Sequence, residues 1–125
     1  MNIALWICAG LLAAVALFGG LTKIVVPKEK LAAAPGGGWT GDATATFVKT
    51  LGALEVLAAL GLTLPAVLDI APFMVPVTAV CWILLMIGAM ITHLRHGDRA
   101  ALIANVLYLA LALFIAVGRF WLHPF

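Results

Sequence analysis

Apolar residues fill four long stretches of this chain, from about Ile3 to Thr22, Thr46 to Leu68, Pro72 to His93, and Ala101 to Leu122. Each is near or above the ~20 residues that a helix needs to cross a hydrocarbon core of roughly 30 Å. Pro27, Pro35 and Gly36-Gly37-Gly38 interrupt the first connection, and Pro65 is expected to close the second span. Pro72 and Pro76 fall in the opening turns of the third, where a missing backbone N–H costs least. His96-Gly97-Asp98 reads as a tight link: Gly97 suits the position just past a helix C-terminus, and Asp98 suits an N-cap. The pattern predicts an all-α membrane protein, a single domain built as a compact antiparallel four-helix transmembrane bundle. The first stretch lacks a basic segment ahead of it and an Ala-x-Ala cleavage site, so it is expected to be retained rather than removed as a signal peptide.

Composition strengthens the membrane assignment. Hydrophobic residues make up 66% of the 125 residues and charged residues 10%, whereas soluble domains average roughly 45–50% and 25%. A soluble domain this short could not hide that much apolar surface, because small domains bury the smallest fraction of their area. The net charge of +2 is spread along the chain, which excludes the clustered basic face of a nucleic-acid binder. Cys8 and Cys81 lie in apolar runs with no C-x-x-C spacing and read as small apolar fillers.

Basic residues give a direction. The first connection holds Lys23, Lys28 and Lys30, with Lys49 just inside the second span, and the third holds Arg95 and Arg99. The second connection has no Lys or Arg, and the C-terminal end has Arg119 alone. By the positive-inside rule, loops one and three are expected to be cytoplasmic and both termini exoplasmic, in a multi-pass protein of the cell membrane. Trp6 and Trp121 would then both lie near the outer interface.

One residue violates the apolar pattern most sharply. Glu55 sits inside Leu51-Gly-Ala-Leu-Glu-Val-Leu-Ala-Ala-Leu-Gly-Leu, and an ionisable side chain at membrane depth marks a candidate functional site. Small residues flank it: Gly52, Ala58 and Ala59 on its own helix, and Ala9, Ala13, Ala16 and Gly20 along one side of the first span. Such faces let helix backbones approach closely, so Glu55 is expected to point into the bundle.

Other polar side chains fall at similar depth. At 1.5 Å per residue, Glu55 lies roughly 13 Å into its helix, with Asn105 and Tyr108 roughly 6 and 10 Å into the fourth from the same side. Asn105 and Tyr108 are three apart and share a face. Lys23, Lys49, Glu55, His93, Asn105 and Tyr108 are thus expected to converge in the inner half of the bundle. Lys49 is about 120° out of register with Glu55 and is expected to extend to the interface. Asn105 and Tyr108 are the favoured partners of Glu55, with Lys23 reading as an interfacial anchor and His93 as a cation capping its helix. A hydrogen-bonded acid that merely fixes packing is the structural alternative for Glu55. No metal site is expected, since His93 and His96 have only His123 to join them, on the opposite side. Trp39, after three glycines in a long first connection, either covers the inner opening or lies at the interface.

The residues Lys23, Phe47-Val-Lys49, Gly52-Ala-Leu-Glu55-Val-Leu-Ala-Ala-Leu-Gly61-Leu-Thr-Leu-Pro65, Ala89-Met-Ile-Thr-His93 and Gly118-Arg119 together resemble the DoxX-like family of small bacterial membrane proteins. The resemblance covers nearly the whole chain, and the second-span pattern with its glutamate is its most specific part. It implies a compact four-helix membrane protein, with Lys23, Lys49, Glu55, His93 and, more weakly, Arg119 as family-marked positions. The family takes its name from a subunit of an archaeal thiosulfate:quinone oxidoreductase. That implies an accessory subunit of a membrane redox system of the bacterial inner membrane, with a soluble or membrane oxidoreductase as partner and quinone or a similar lipophilic ligand; Glu55, Asn105 and Tyr108 are expected to orient it, with Lys49 and Lys23 as further ligand-binding residues. A second expectation is an acid–base enzyme on a lipophilic substrate, an isomerase or epoxide-opening catalyst, in which Glu55 shuttles a proton and Tyr108 or His93 polarises oxygen. A third is a structural or assembly protein, or a proton-linked transporter, which would need a homo-oligomer because four short helices enclose little.

Overall fold

Four long helices carry the apolar stretches: α1 (Asn2–Val25), α3 (Ala45–Val67), α4 (Met74–Arg95) and α5 (Arg99–Val117), with a short α2 (Lys28–Ala33) in the first connection. The computed structural model describes residues 1–34 and 37–125, so the expected breaks at Pro35 and Gly36 lie outside the described residues. A 3₁₀ turn, Gly38–Asp42, precedes α3, and a π turn, Gly118–Leu122, extends α5. All four long helices are long and apolar enough to cross a membrane.

Local chemistry sets three of the long-helix ends. Thr44 caps α3 by accepting the Phe47 N–H at 3.1 Å, and Asp98 caps α5 by accepting from Ala101 at 3.1 Å. Such oxygens satisfy amides that the first helical turn leaves without partners. At the end of α4, the Asp98 N–H donates to His93 O and the Gly97 N–H to Leu94 O, a pairing that turns the chain through a left-handed residue. Gly97 takes that role at φ 68°, where a Cβ would cost roughly 1 kcal/mol.

Two proline expectations are corrected. Pro65 lies inside α3, which continues to Val67; the N–H it lacks would have bonded the Gly61 carbonyl, so the helix carries on with that one bond missing. α4 starts at Met74 rather than at Pro72, and Pro72 sits in the preceding turn, where its carbonyl accepts from Val75. Asp69 and Ala71, both at positive φ, make that turn tight.

Neighbouring helices run antiparallel around a ring in the order α1, α3, α4, α5, with the closest pairings α1 against α3 and α4 against α5. Leu12, Ala16, Leu62, Ala79, Ala112 and Ile115, all fully buried, form the core. The outward faces carry exposed Ile3, Phe18, Leu57, Leu84 and Leu107, a surface that matches lipid rather than water. Cys8 is half-buried, Cys81 is exposed on that outward surface, and both are free.

Glycine decides the tightest contact. A Cβ on Gly20 would lie 2.6 Å from Gly52 O and 2.9 Å from Val56 N, and one on Gly52 would lie 2.7 Å from Gly20 O. The α1 and α3 backbones therefore touch, as small residues allow in membrane helices, and Gly20 and Gly52 sit level with each other.

Candidate functional site

Glu55 is 7% exposed and points into the bundle. Its partner is Lys23, whose Nζ donates to Oε2 at 3.0 Å and Oε1 at 3.2 Å. This corrects the expectation that Asn105 and Tyr108 hold the carboxylate and that Lys23 is an interfacial anchor. The register explains it. Lys23 follows Gly20 by three residues and Glu55 follows Gly52 by three, on antiparallel helices, so their Cα atoms are offset by about 9 Å along the axis. Helical side chains lean toward the N-terminus, which makes Lys23 and Glu55 lean toward one another across that gap. Gly19, whose Cβ would lie 3.4 Å from Glu55 Oε2, leaves room beside the carboxylate.

Lys49 acts elsewhere, as the helical register predicts. Its Nζ donates to Ile24 O at 2.8 Å, satisfying a carbonyl at the C-terminal end of α1 that has no helical donor. His93 does not cap its helix. Its ring lines an internal crevice, with Nδ1 buried and without a partner. His96 takes the helix-end role instead, with Nδ1 2.9 Å from Thr92 O and Nε2 2.9 Å from Asp42 Oδ2. Arg119 is buried at the far end of the bundle, donating to His123 O at 3.1 Å and lying 3.8 Å from the Phe125 ring centroid and 5.9 Å from that of Trp6. It takes no part in the Glu55 cluster.

Two crevices meet at the ion pair. The first, about 400 Å³, opens between α3 and α4 toward the loop-one end; Trp39, Phe47, Leu84 and His93 line it, together with Lys23, Glu55 and Asn105. The second, about 440 Å³, opens between α1 and α5; Phe18, Trp82 and Tyr108 line it, again with Lys23, Glu55 and Asn105. Exposed Leu84 and Phe18 stand at the respective lipid-facing mouths. The crevices fall where helix pairing is looser, between the tight α1–α3 and α4–α5 pairs.

The fold thus brings Lys23, Glu55 and Asn105 to both crevices, sends His93 to one and Tyr108 to the other, and leaves Lys49 outside. Asn105 Nδ2 and Trp82 Nε1 are buried with no hydrogen-bond partner, although a sealed, unpaired donor costs about 1–3 kcal/mol. Trp82 was not among the sequence candidates. Its signal was an indole N–H in mid-span, far from either interface. Among the described residues, no group of His, Cys, Asp or Glu is close enough to hold a metal ion.

No curated protein and no solved structure matches the chain. A family model does match, over residues 7–115, which takes in all of α3 and α4, most of α1 and α5, and every residue of the two crevices. The buried acid, its lysine and the four spans that carry them therefore sit within an integral membrane protein that belongs to the DoxX-like family.

Proposed function

We propose that the protein binds an uncharged lipophilic molecule with an oxygen-bearing head, of quinone type, between its helices, as an accessory subunit of a membrane redox system. The observation that carries this reading is the Lys23–Glu55 pair standing where two apolar-walled crevices meet, beside an Asn105 amide with no partner. The pair is neutral as a unit, so the site does not call for a charged head. Its spare polar capacity includes donors, the Asn105 amide N–H and the remaining Lys23 N–H, which suit a ligand offering carbonyl oxygens. A cavity of about 400 Å³ falls within the range usual for small-molecule sites, where apolar walls supply affinity and a few polar groups supply orientation. The redox setting and the oxidoreductase partner rest on the family resemblance. The cluster of Lys23, Lys28, Lys30, Arg95 and Arg99 supports an orientation with this end of the bundle in the cytoplasm.

Binding of decylubiquinone to the detergent-solubilised protein, followed by native mass spectrometry and tryptophan quenching, tests the reading. Binding is expected, and Asn105→Leu is expected to weaken it about tenfold, the worth of one hydrogen bond. Failure to bind, or equal binding by Asn105→Leu, refutes it.

A second reading, an acid–base enzyme on a lipophilic substrate, draws on Glu55 facing both crevices, with His93 in one and Tyr108 in the other. Under it, Glu55→Gln abolishes turnover in a protein that still folds, and retained turnover removes the idea.

A further inference from the structure

Trp39, in the wall of the first crevice, sits in the Gly38–Asp42 turn, which among the described residues has few hydrogen bonds to the long helices. Among the described residues of Pro27–Ala43, backbone hydrogen bonds stay within the segment, from Lys30 and Leu31 to Pro27, from Gly37 to Ala34, from Thr40 to Gly37 and from Ala43 to Thr40. Thr40 Oγ1 likewise bonds inward, to Gly37 O at 2.7 Å. The one hydrogen bond that ties these described residues to a long helix joins Asp42 Oδ2 to His96 Nε2 at 2.9 Å.

His96 sits just past the end of α4, and its other ring nitrogen, Nδ1, lies 2.9 Å from Thr92 O. Both partners are acceptors. A neutral imidazole has one N–H and can satisfy only one of them, whereas the imidazolium satisfies both. The carbonyl end of α4 favours that cation as well. From outside its own helix, Asp42 is the charged group that acts on His96. On α4 and in the turn beyond stand His93, Arg95, Asp98 and Arg99.

We propose that the His96–Asp42 contact is a proton-operated catch on the Trp39 cover: the imidazolium holds the Gly38–Asp42 turn against α4, and loss of its charge and of one of its two N–H bonds loosens the turn and uncovers the first crevice. The hydrogen bond that His96 donates to Asp42, then the one to Thr92 O, raises the His96 pKa above the ordinary histidine value of 6.5. A raised value means the catch is fully engaged below about 6.5 and is lost as pH rises through the folded-state value. Both groups face water at the loop-one end, so the catch responds to pH on that side of the membrane. The consequence for ligand access rests on the binding reading above; the movement of the cover does not.

Fluorine NMR of the full chain labelled with 5-fluorotryptophan, without ligand and from pH 5.5 to 9, tests the catch. The Trp39 resonance, assigned by Trp39→Phe, is expected to shift with a midpoint above 6.5, while those of Trp6, Trp82 and Trp121 do not follow. The shift is expected to vanish in His96→Gln and, as a second check, in Asp42→Asn. A Trp39 signal that stays flat through the His96 titration, or that shifts equally in His96→Gln, overturns the proposal. Decylubiquinone failing to bind at any pH would instead overturn the binding reading and leave the catch standing on the fluorine signal.

Discussion

Removing either half of the Lys23–Glu55 pair tests whether this buried charge is held by its partner. At 3.0 Å and an effective dielectric of about 20, the Coulomb attraction is about 5–6 kcal/mol. Desolvation takes back several kcal/mol per ion, so the intact pair is worth little net. Stranding one charge is different and typically costs about 3–5 kcal/mol. Lys23→Met leaves Glu55, with 9% of its side chain exposed, facing its neighbours alone and is expected to cost that full amount. Glu55→Gln leaves Lys23, whose side chain is 20% exposed and can reach toward the interface, so about 2–4 kcal/mol is expected. The double variant removes both charges and is expected to be more stable than the two losses together imply, by about 3 kcal/mol. Reversible unfolding in mixed micelles by SDS titration, followed by circular dichroism, gives all four free energies. Additivity within about 0.5 kcal/mol would refute the pair as the reason this glutamate is tolerated.

Other outcomes follow from the same contacts. Gly20→Ala places a Cβ 2.6 Å from Gly52 O and is expected to destabilise by about 1–3 kcal/mol; Gly10→Ala, with nothing within 4 Å, is its control in the same SDS titration. Asp98→Ala removes the α5 cap and is expected to cost about 1 kcal/mol, with faster amide hydrogen exchange at Ala101. Lys49→Met frees the Ile24 carbonyl and is expected to cost about 0.5–1.5 kcal/mol while leaving decylubiquinone affinity unchanged, because Lys49 lines neither crevice.

The class of fold is legible in the residues alone. Four runs of apolar residues long enough to span a bilayer leave the backbone little choice but helix, since unpaired amides are too costly in hydrocarbon. Glu55 was legible too, because one carboxylate among leucines and alanines stands out whatever surrounds it. Gly97 and Asp98 were legible for the same local reason: a left-handed turn and a free helix N-terminus each ask for particular side chains. The partner of Glu55 was not legible. Depths counted from helix ends put Lys23 at the interface and Asn105 nearer the acid. Only the touching backbones at Gly20 and Gly52 set the register in which Lys23 and Glu55 lean toward each other. The separation of His93 from Tyr108 is tertiary too, because it depends on which helix pairs close tightly and which leave crevices. The Asp42–His96 contact joins residues 54 apart in sequence, and no periodicity within either segment encodes that meeting. Local rules act along one helix; contacts between helices depend on relative register and rotation, which packing alone decides.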